Sequence, residues 1–163
     1  MKPVFKFLLR FARCSSGNGL VEMTIILPVA ISLLAGGVDF GMALSTWATG
    51  SKSAHDAARY LGSLPATAVC GGTPWGVSNA KNLAVYGTLT AGGSGTELIR
   101  GWSTSDVQVT YTSGCTNSPP QAFNITVTAA IPYTSIIVAS FLPIPSTYTM
   151  NATHQESSLG WSL

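Results

Sequence analysis

The sequence predicts an α+β protein: one long N-terminal helix that crosses a membrane and continues outside it, then a small domain of roughly three antiparallel strands and short helices. Three observations carry this expectation. No residue between Met23 and Val38 is charged, and with Leu20–Val21 before it and Phe40–Leu44 after it the apolar region reaches about 25 residues, where roughly 20 cross a bilayer as a helix. The first 17 residues hold Lys2, Lys6, Arg10 and Arg13 and no acid. Beyond Pro65, short runs alternate apolar residues with Thr, Asn and Gln at the period of a strand.

Charge is scarce and unevenly placed. Only 9% of the 163 residues are charged, against about 25% in an average soluble domain. That excludes an electrostatic nucleic-acid binder, which needs a basic field over its surface. It also excludes a disordered chain, which pairs high charge with low hydrophobicity. The leader carries +4, whereas the remainder holds four basic residues against six acidic ones, a net of −2. A basic flank on one side of the apolar run places the N-terminus in the cytoplasm and the rest outside. A buried core helix leaves that one-sided flank unexplained. A cleaved secretory signal, with Ala43-Leu44-Ser45 as its cleavage site, has a shorter apolar core than this one.

The elements follow in order. From Asn18 to about Leu64 only Pro28 interrupts the helical pattern, and proline inside a bilayer helix bends it without ending it. At 1.5 Å per residue the rod spans roughly 70 Å, half in lipid and half outside. In the outer half Ala54, Ala57, Ala58, Leu61 and Leu64 form a stripe opposed by Lys52, Asp56 and Arg59, which predicts packing on the chain's own distal domain. Pro65 ends the helix. Residues 66–75 read as loop, and Val77–Tyr86 as a short helix capped by Ser78 or Asn79. Asp106–Thr112 alternates as a strand with Val107, Val109 and Tyr111 on one face. A second strand runs from Ala122 to about Ile131, with Phe123, Ile125, Val127 and Ala129 together, and Pro132 halts it. The apolar decapeptide from Tyr133 to Leu142 is too short to span a bilayer and reads as a crossover helix or an interface-lying segment. A third strand extends from Ser146 to about His154, with Tyr148, Met150 and Ala152 on one face. The organisation is thus a leader (1–17), the long helix (18–64) and a distal domain (65–163).

Glu22 is the informative residue of the apolar run. A carboxylate inside a bilayer helix costs roughly 2.5–3.5 kcal/mol at the centre and less near an end, so it calls for a partner. Gly17 precedes Asn18, and Glu22 is the fifth residue after Gly17. This resembles the processing site of type IV prepilins, in which a membrane peptidase cuts after a glycine and the glutamate then lies five residues into the mature chain. The resemblance narrows over GLVEMTIILPVAISLLAGGVDFGMAL, which is similar to the start of TadE-like pseudopilins, minor components of the tight-adherence (Tad/Flp) pilus machinery. The shared features are Val21-Glu22, an apolar run containing Pro28, and Gly37-Val38-Asp39-Phe40-Gly41. SKSAHDAARYLGS resembles the family's amphipathic continuation. Met23 stands where the family usually has an aromatic.

The resemblance implies a single-pass, pilin-like subunit of the bacterial inner membrane, with a cytoplasmic N-terminus, a periplasmic or extracellular domain and a role in pilus assembly and adhesion. It implies processing between Gly17 and Asn18 by a prepilin peptidase. Its further partners would be other pilins or pseudopilins, the inner-membrane assembly platform and membrane lipid. Glu22 would offset the terminal amine of a neighbouring subunit. Gly37 and Gly41, one turn apart with Ser45 four further on, either form a small face that lets helices approach closely or merely loosen the helix. Asp39, at the outer end of the span, would snorkel or pair with a neighbour. Two alternatives stand beside this: a type II secretion pseudopilin, which shares the cut, and a membrane-anchored periplasmic enzyme or binding module held by an uncleaved helix.

Cysteine use agrees with export. Cys14 lies in the leader, while Cys70 and Cys115 both lie in the distal domain, where an oxidising compartment would allow them to bridge. A metal site finds no ligand spacing, since His55 and His154 are isolated in sequence and no C-x-x-C occurs. A Ser/His/Asp set drawn through His55 and Asp56 has no nucleophile elbow, and Gly92-Gly93-Ser94-Gly95 lacks the G-K-[ST] ending of a phosphate loop. The expectation is therefore no catalytic residue, no cofactor, no metal, no nucleic acid and no small-molecule substrate.

Overall fold

The computed structural model describes residues 17–70, 74–93, 95–116, 121–135, 137 and 145–158. The leader lies outside the described residues, as does most of the 136–144 stretch read as a crossover or interfacial segment. Helix α1 runs Gly17–Gly62 without a break, with Pro28 inside it. It stops two residues short of the predicted end, where the Ser63 N–H donates to the carbonyls of Arg59 and Tyr60. The chain was expected to loop after Pro65. It instead forms a five-residue helix α2, Ala66–Cys70, whose Ala66, Ala68 and Val69 are buried. Tertiary burial of three small apolar residues stabilises a turn too short to be helical alone.

Helix α3 spans Trp75–Tyr86, starting two residues earlier than predicted. Pro74, not Ser78 or Asn79, occupies the N-cap position, and no side chain caps this end. Proline suits the entry because it has no N–H to leave unsatisfied. The helix ends on Gly87 at φ 71°, whose N–H donates to the Leu83 carbonyl, a left-handed cap that glycine adopts without steric penalty. A 3-10 turn at Thr104–Asp106 leads into β1, Val107–Tyr111, and a second 3-10 turn follows at Ser113–Thr116. Strands β2, Phe123–Thr134, and β3, Thr147–Ser158, complete an antiparallel sheet of order β1-β2-β3.

Pro132 does not end β2. The strand continues to Thr134, taking in Tyr133 and Thr134 from the segment expected to be a crossover, and Pro132 pairs with Thr149. The reason is the shortness of β1. Its last pairing is Val107 with Ala129, so beyond that point β2 has a neighbour on one side only, and a residue without an N–H is tolerated at such an edge. The third strand likewise runs four residues past its predicted end, to Ser158, opposite Phe123.

The core lies between one face of the sheet and two helices. Phe123, Ile125, Val127, Ala129 and Ile131 of β2 are buried against Ala54, Ala57, Ala58 and Leu61 of α1 and Ala80, Ala84 and Val85 of α3. The expected α1 stripe thus packs on its own domain. Each fully buried Leu, Ile or Val contributes about 1.5–3 kcal/mol, while the alanines bring backbone close to backbone. Gly50 takes this furthest, since a Cβ there would overlap the Ile131 side chain. On β1, Val107 is buried, Val109 half-buried and Tyr111 exposed, because that strand runs out past the core.

Candidate functional site

Helix α1 divides at Asp39. On the N-terminal side nearly every large apolar residue is exposed, from Leu20 through Leu33 and Leu34 to Val38, and among the described residues α1 is the one helix long and apolar enough to cross a membrane. Asp39 is buried, and from there on α1 carries the distal domain. The contacts climb in step. Tyr133 and Ser135 meet Asp39, Ile131 meets Gly50, the Trp47 indole N–H donates to the Asn151 carbonyl (3.5 Å), Ser51 hydrogen-bonds His154 (3.0 Å), and Glu156 lies at Gly62. Strand β3 therefore rises alongside α1 away from the apolar half, and β2 descends toward it.

Asp39 was expected to snorkel or to pair with a neighbouring subunit. It pairs inside its own chain: the Tyr133 hydroxyl donates to Oδ1 at 2.6 Å and lies 2.9 Å from the Asp39 carbonyl, and the Ser135 hydroxyl donates to Oδ2. A buried carboxylate held by hydroxyls keeps its charge compensated without a cation. Burial, then the hydrogen bond to Asp39 and that residue's negative charge, push the Tyr133 phenol up to about 12. The neutral phenol is thus favoured in the fold. The resulting stabilisation is fully present below pH ~10, the unfolded value, and is lost as pH rises through about 12. Phenolate absorbance is expected to show one of the five tyrosines ionising near pH 12, and Tyr133→Phe to remove that step.

The other residues expected to serve in assembly face outward. Glu22 is exposed on the apolar half. Gly37 and Gly41 are exposed as well, and a Cβ at either would meet nothing within 4 Å. At 100° per residue they lie roughly 160° and 200° around α1 from Asp39, on the side opposite the domain. The small face is thus turned away from the subunit's own bulk. Gly17 and Asn18 form the start of α1, where their backbone is helical.

Cys70 and Cys115 are joined in a disulfide, with Cα atoms 5.9 Å apart, inside the range that bridge geometry requires. The bond ties α2 to the 3-10 turn after β1. His55 and His154, isolated in sequence, are neighbours in the fold: their rings stand edge to face with centroids 5.3 Å apart. Asp56 Oδ1 lies 3.6 Å from His55 Nδ1, and Glu156 Oε1 lies 3.9 Å from His55 Nε2. Sequence reading missed this cluster because its two halves belong to α1 and β3, and nothing local links them. Among the described residues no group of three or more His, Cys, Asp or Glu could hold a metal ion.

Residues 17–59 match the family described as TadE-like protein, which is consistent with a TadE-like protein. The matched stretch is nearly all of α1 and about a quarter of the chain; it leaves out the sheet and the shorter helices. Neither the curated proteins nor the solved structures contain a match to this chain.

Proposed function

We propose that this TadE-like chain is a pseudopilin that serves in assembly of a Tad/Flp-type pilus, with a structural and not a catalytic role. The observation that carries the reading is the coincidence of the family match with a helix whose first half, among the described residues, is exposed and apolar. The apolar half of α1 sits in the inner membrane with the N-terminus cytoplasmic, and the distal domain lies outside. A prepilin peptidase cuts between Gly17 and Asn18, removing the +4 leader and creating an ammonium at Asn18. Glu22 then offers a carboxylate in a low-dielectric setting, where an ammonium of a neighbouring subunit is attracted more strongly than in water. Gly37 and Gly41 supply the close-approach face for a neighbouring helix or for the inner-membrane platform.

N-terminal sequencing and intact mass of the membrane-extracted protein, expressed with a prepilin peptidase, test the reading. A mature start at Asn18, abolished by Gly17→Arg, is the expected result. A start at Met1 overturns it in favour of an anchored periplasmic module, and a start near Thr46 overturns it in favour of a cleaved secretory signal. A second expectation separates packing from mere helix loosening. Gly37→Ile and Gly41→Ile should leave the unfolding of the distal domain unchanged, because among the described residues nothing lies within 4 Å of a Cβ at either position. They should weaken association with pilus subunits in detergent by about 1–2 kcal/mol, roughly tenfold.

A further inference from the structure

The lower end of the distal domain carries aromatic and apolar side chains that the core does not use. Tyr148 is 41% exposed at the start of β3, opposite Tyr133, and Phe40, Leu44 and Trp47 of α1 are 70%, 54% and 40% exposed. Phe40, Ala43, Tyr148 and Met150 line a cleft of about 340 Å³ whose wall also includes Asp39, Tyr133 and Ser135. Above it, Arg100 borders a larger cleft with Met42, Thr46 and Tyr133. The hairpin is drawn together at this level by the Ser135 N–H donating to the Ser146 carbonyl (2.7 Å). The intervening sequence, IIVASFLPIP, contains no charged residue.

From this we infer that the distal domain is not held clear of the bilayer: its lower end, through Phe40, Trp47, Tyr148 and the cleft between α1 and the β2–β3 hairpin, is a lipid-contact surface seated in the outer headgroup and upper acyl region. The inference rests on the reading of α1 as a membrane anchor. Continuity fixes the occupant as lipid. The surface begins at Asp39, where the exposed apolar half of α1 stops, so whatever surrounds Val38 also reaches Phe40 and Tyr148. Tyrosine and tryptophan favour this depth because an apolar ring and a polar edge are satisfied together at the interface. Arg100, one level higher, stands where a long cationic side chain reaches phosphate. Asp39 meanwhile needs no water at that depth, since hydroxyls of its own chain satisfy both carboxylate oxygens.

The test uses the full chain with Cys14→Ser, which keeps the Cys70–Cys115 bridge. A bimane label is placed on Tyr148→Cys, or on Gln155→Cys, seven residues and about 23 Å higher on β3. The protein is reconstituted in phosphatidylethanolamine–phosphatidylglycerol vesicles containing phosphatidylcholine with a nitroxide near its acyl carbonyl. Quenching at position 148 severalfold stronger than at 155 is the expected result. Label on Leu33→Cys, quenched by a nitroxide deep in the acyl chain, reports the anchor separately. Equal, weak quenching at 148 and 155 with strong quenching at Leu33→Cys overturns the inference and leaves the anchor standing. An unquenched label on Leu33→Cys overturns the anchor, and the inference with it. Should the Tyr148→Cys protein not fold, exposed Thr134 beside it on β2 carries the label with the same expected ratio.

Discussion

Loss of the Cys70–Cys115 disulfide is expected to destabilise the distal domain by about 4 kcal/mol. The bridge closes a loop of 45 residues in sequence separation, and on the chain-entropy model a loop of that size restricts the unfolded ensemble by roughly this amount. The effect is large because the domain is small: only about 100 residues follow α1, and small domains bury a modest fraction of their surface. The bridge also fixes α2, whose five residues cannot hold a helix alone. Denaturant unfolding of the detergent-solubilised Cys70→Ser/Cys115→Ser protein, followed by near-UV signals of Trp75 and Trp102, measures the change. A difference below about 1 kcal/mol would show that the bridge adds little to the fold. The double variant isolates the cross-link better than either single one, which would leave a reactive thiol behind.

Asp39→Ala is expected to cost about 3 kcal/mol, from two hydrogen bonds to a charged acceptor at about 1.5 kcal/mol or more each. The substitution strands the hydroxyls of Tyr133 and Ser135 beside α1. Its damage should be local. The sheet is held higher up by Leu61, Ile125, Val127 and Ile131, so the lower hairpin detaches while the upper core stays folded. Amide exchange resolves the two regions: protection at Tyr133 and Thr147 falls in the variant, and protection at Ile125 and Val127 does not. Asp39→Asn retains one acceptor and two donors in the same volume and is expected to recover part of the loss. Uniform loss of protection over all three strands would mean that Asp39 supports the whole fold and not its foot.

What could be read from the residues divides by range. The long helix, its apolar first half and its alanine stripe are periodic signals spread over many residues, and they gave α1 to within two residues at its C-terminal end. Strand β2 was equally plain from Phe123 to Ala129, where apolar and polar residues alternate. Pro132 misled because a proline stops a strand only where a neighbour needs its N–H, and no local signal shows that β1 ends opposite Ala129. Helix α2 was invisible because ATAVC has neither length nor period, and burial alone makes it helical. The partners of Asp39 lie 94 and 96 residues away. Sequence placed an acid at the end of the span and left it to snorkel or to pair with a neighbour; that the partners lie in its own chain is a property of the folded sheet.

One continuous helix carries both the exposed apolar half and the sheet, and Pro28, eleven residues before Asp39, is the only proline inside it. Between Asp39 and Gly62 α1 is one unbroken helix with no proline. The subunit is therefore a torsion rod: a rotation of the helix about its own axis, forced by a new neighbour, turns the sheet through the same angle. Advancing the contact face by one residue swings the domain by roughly 100°. On the proposed reading, the surface that the distal domains present to one another is thereby set by which side of a single helix its neighbour selects.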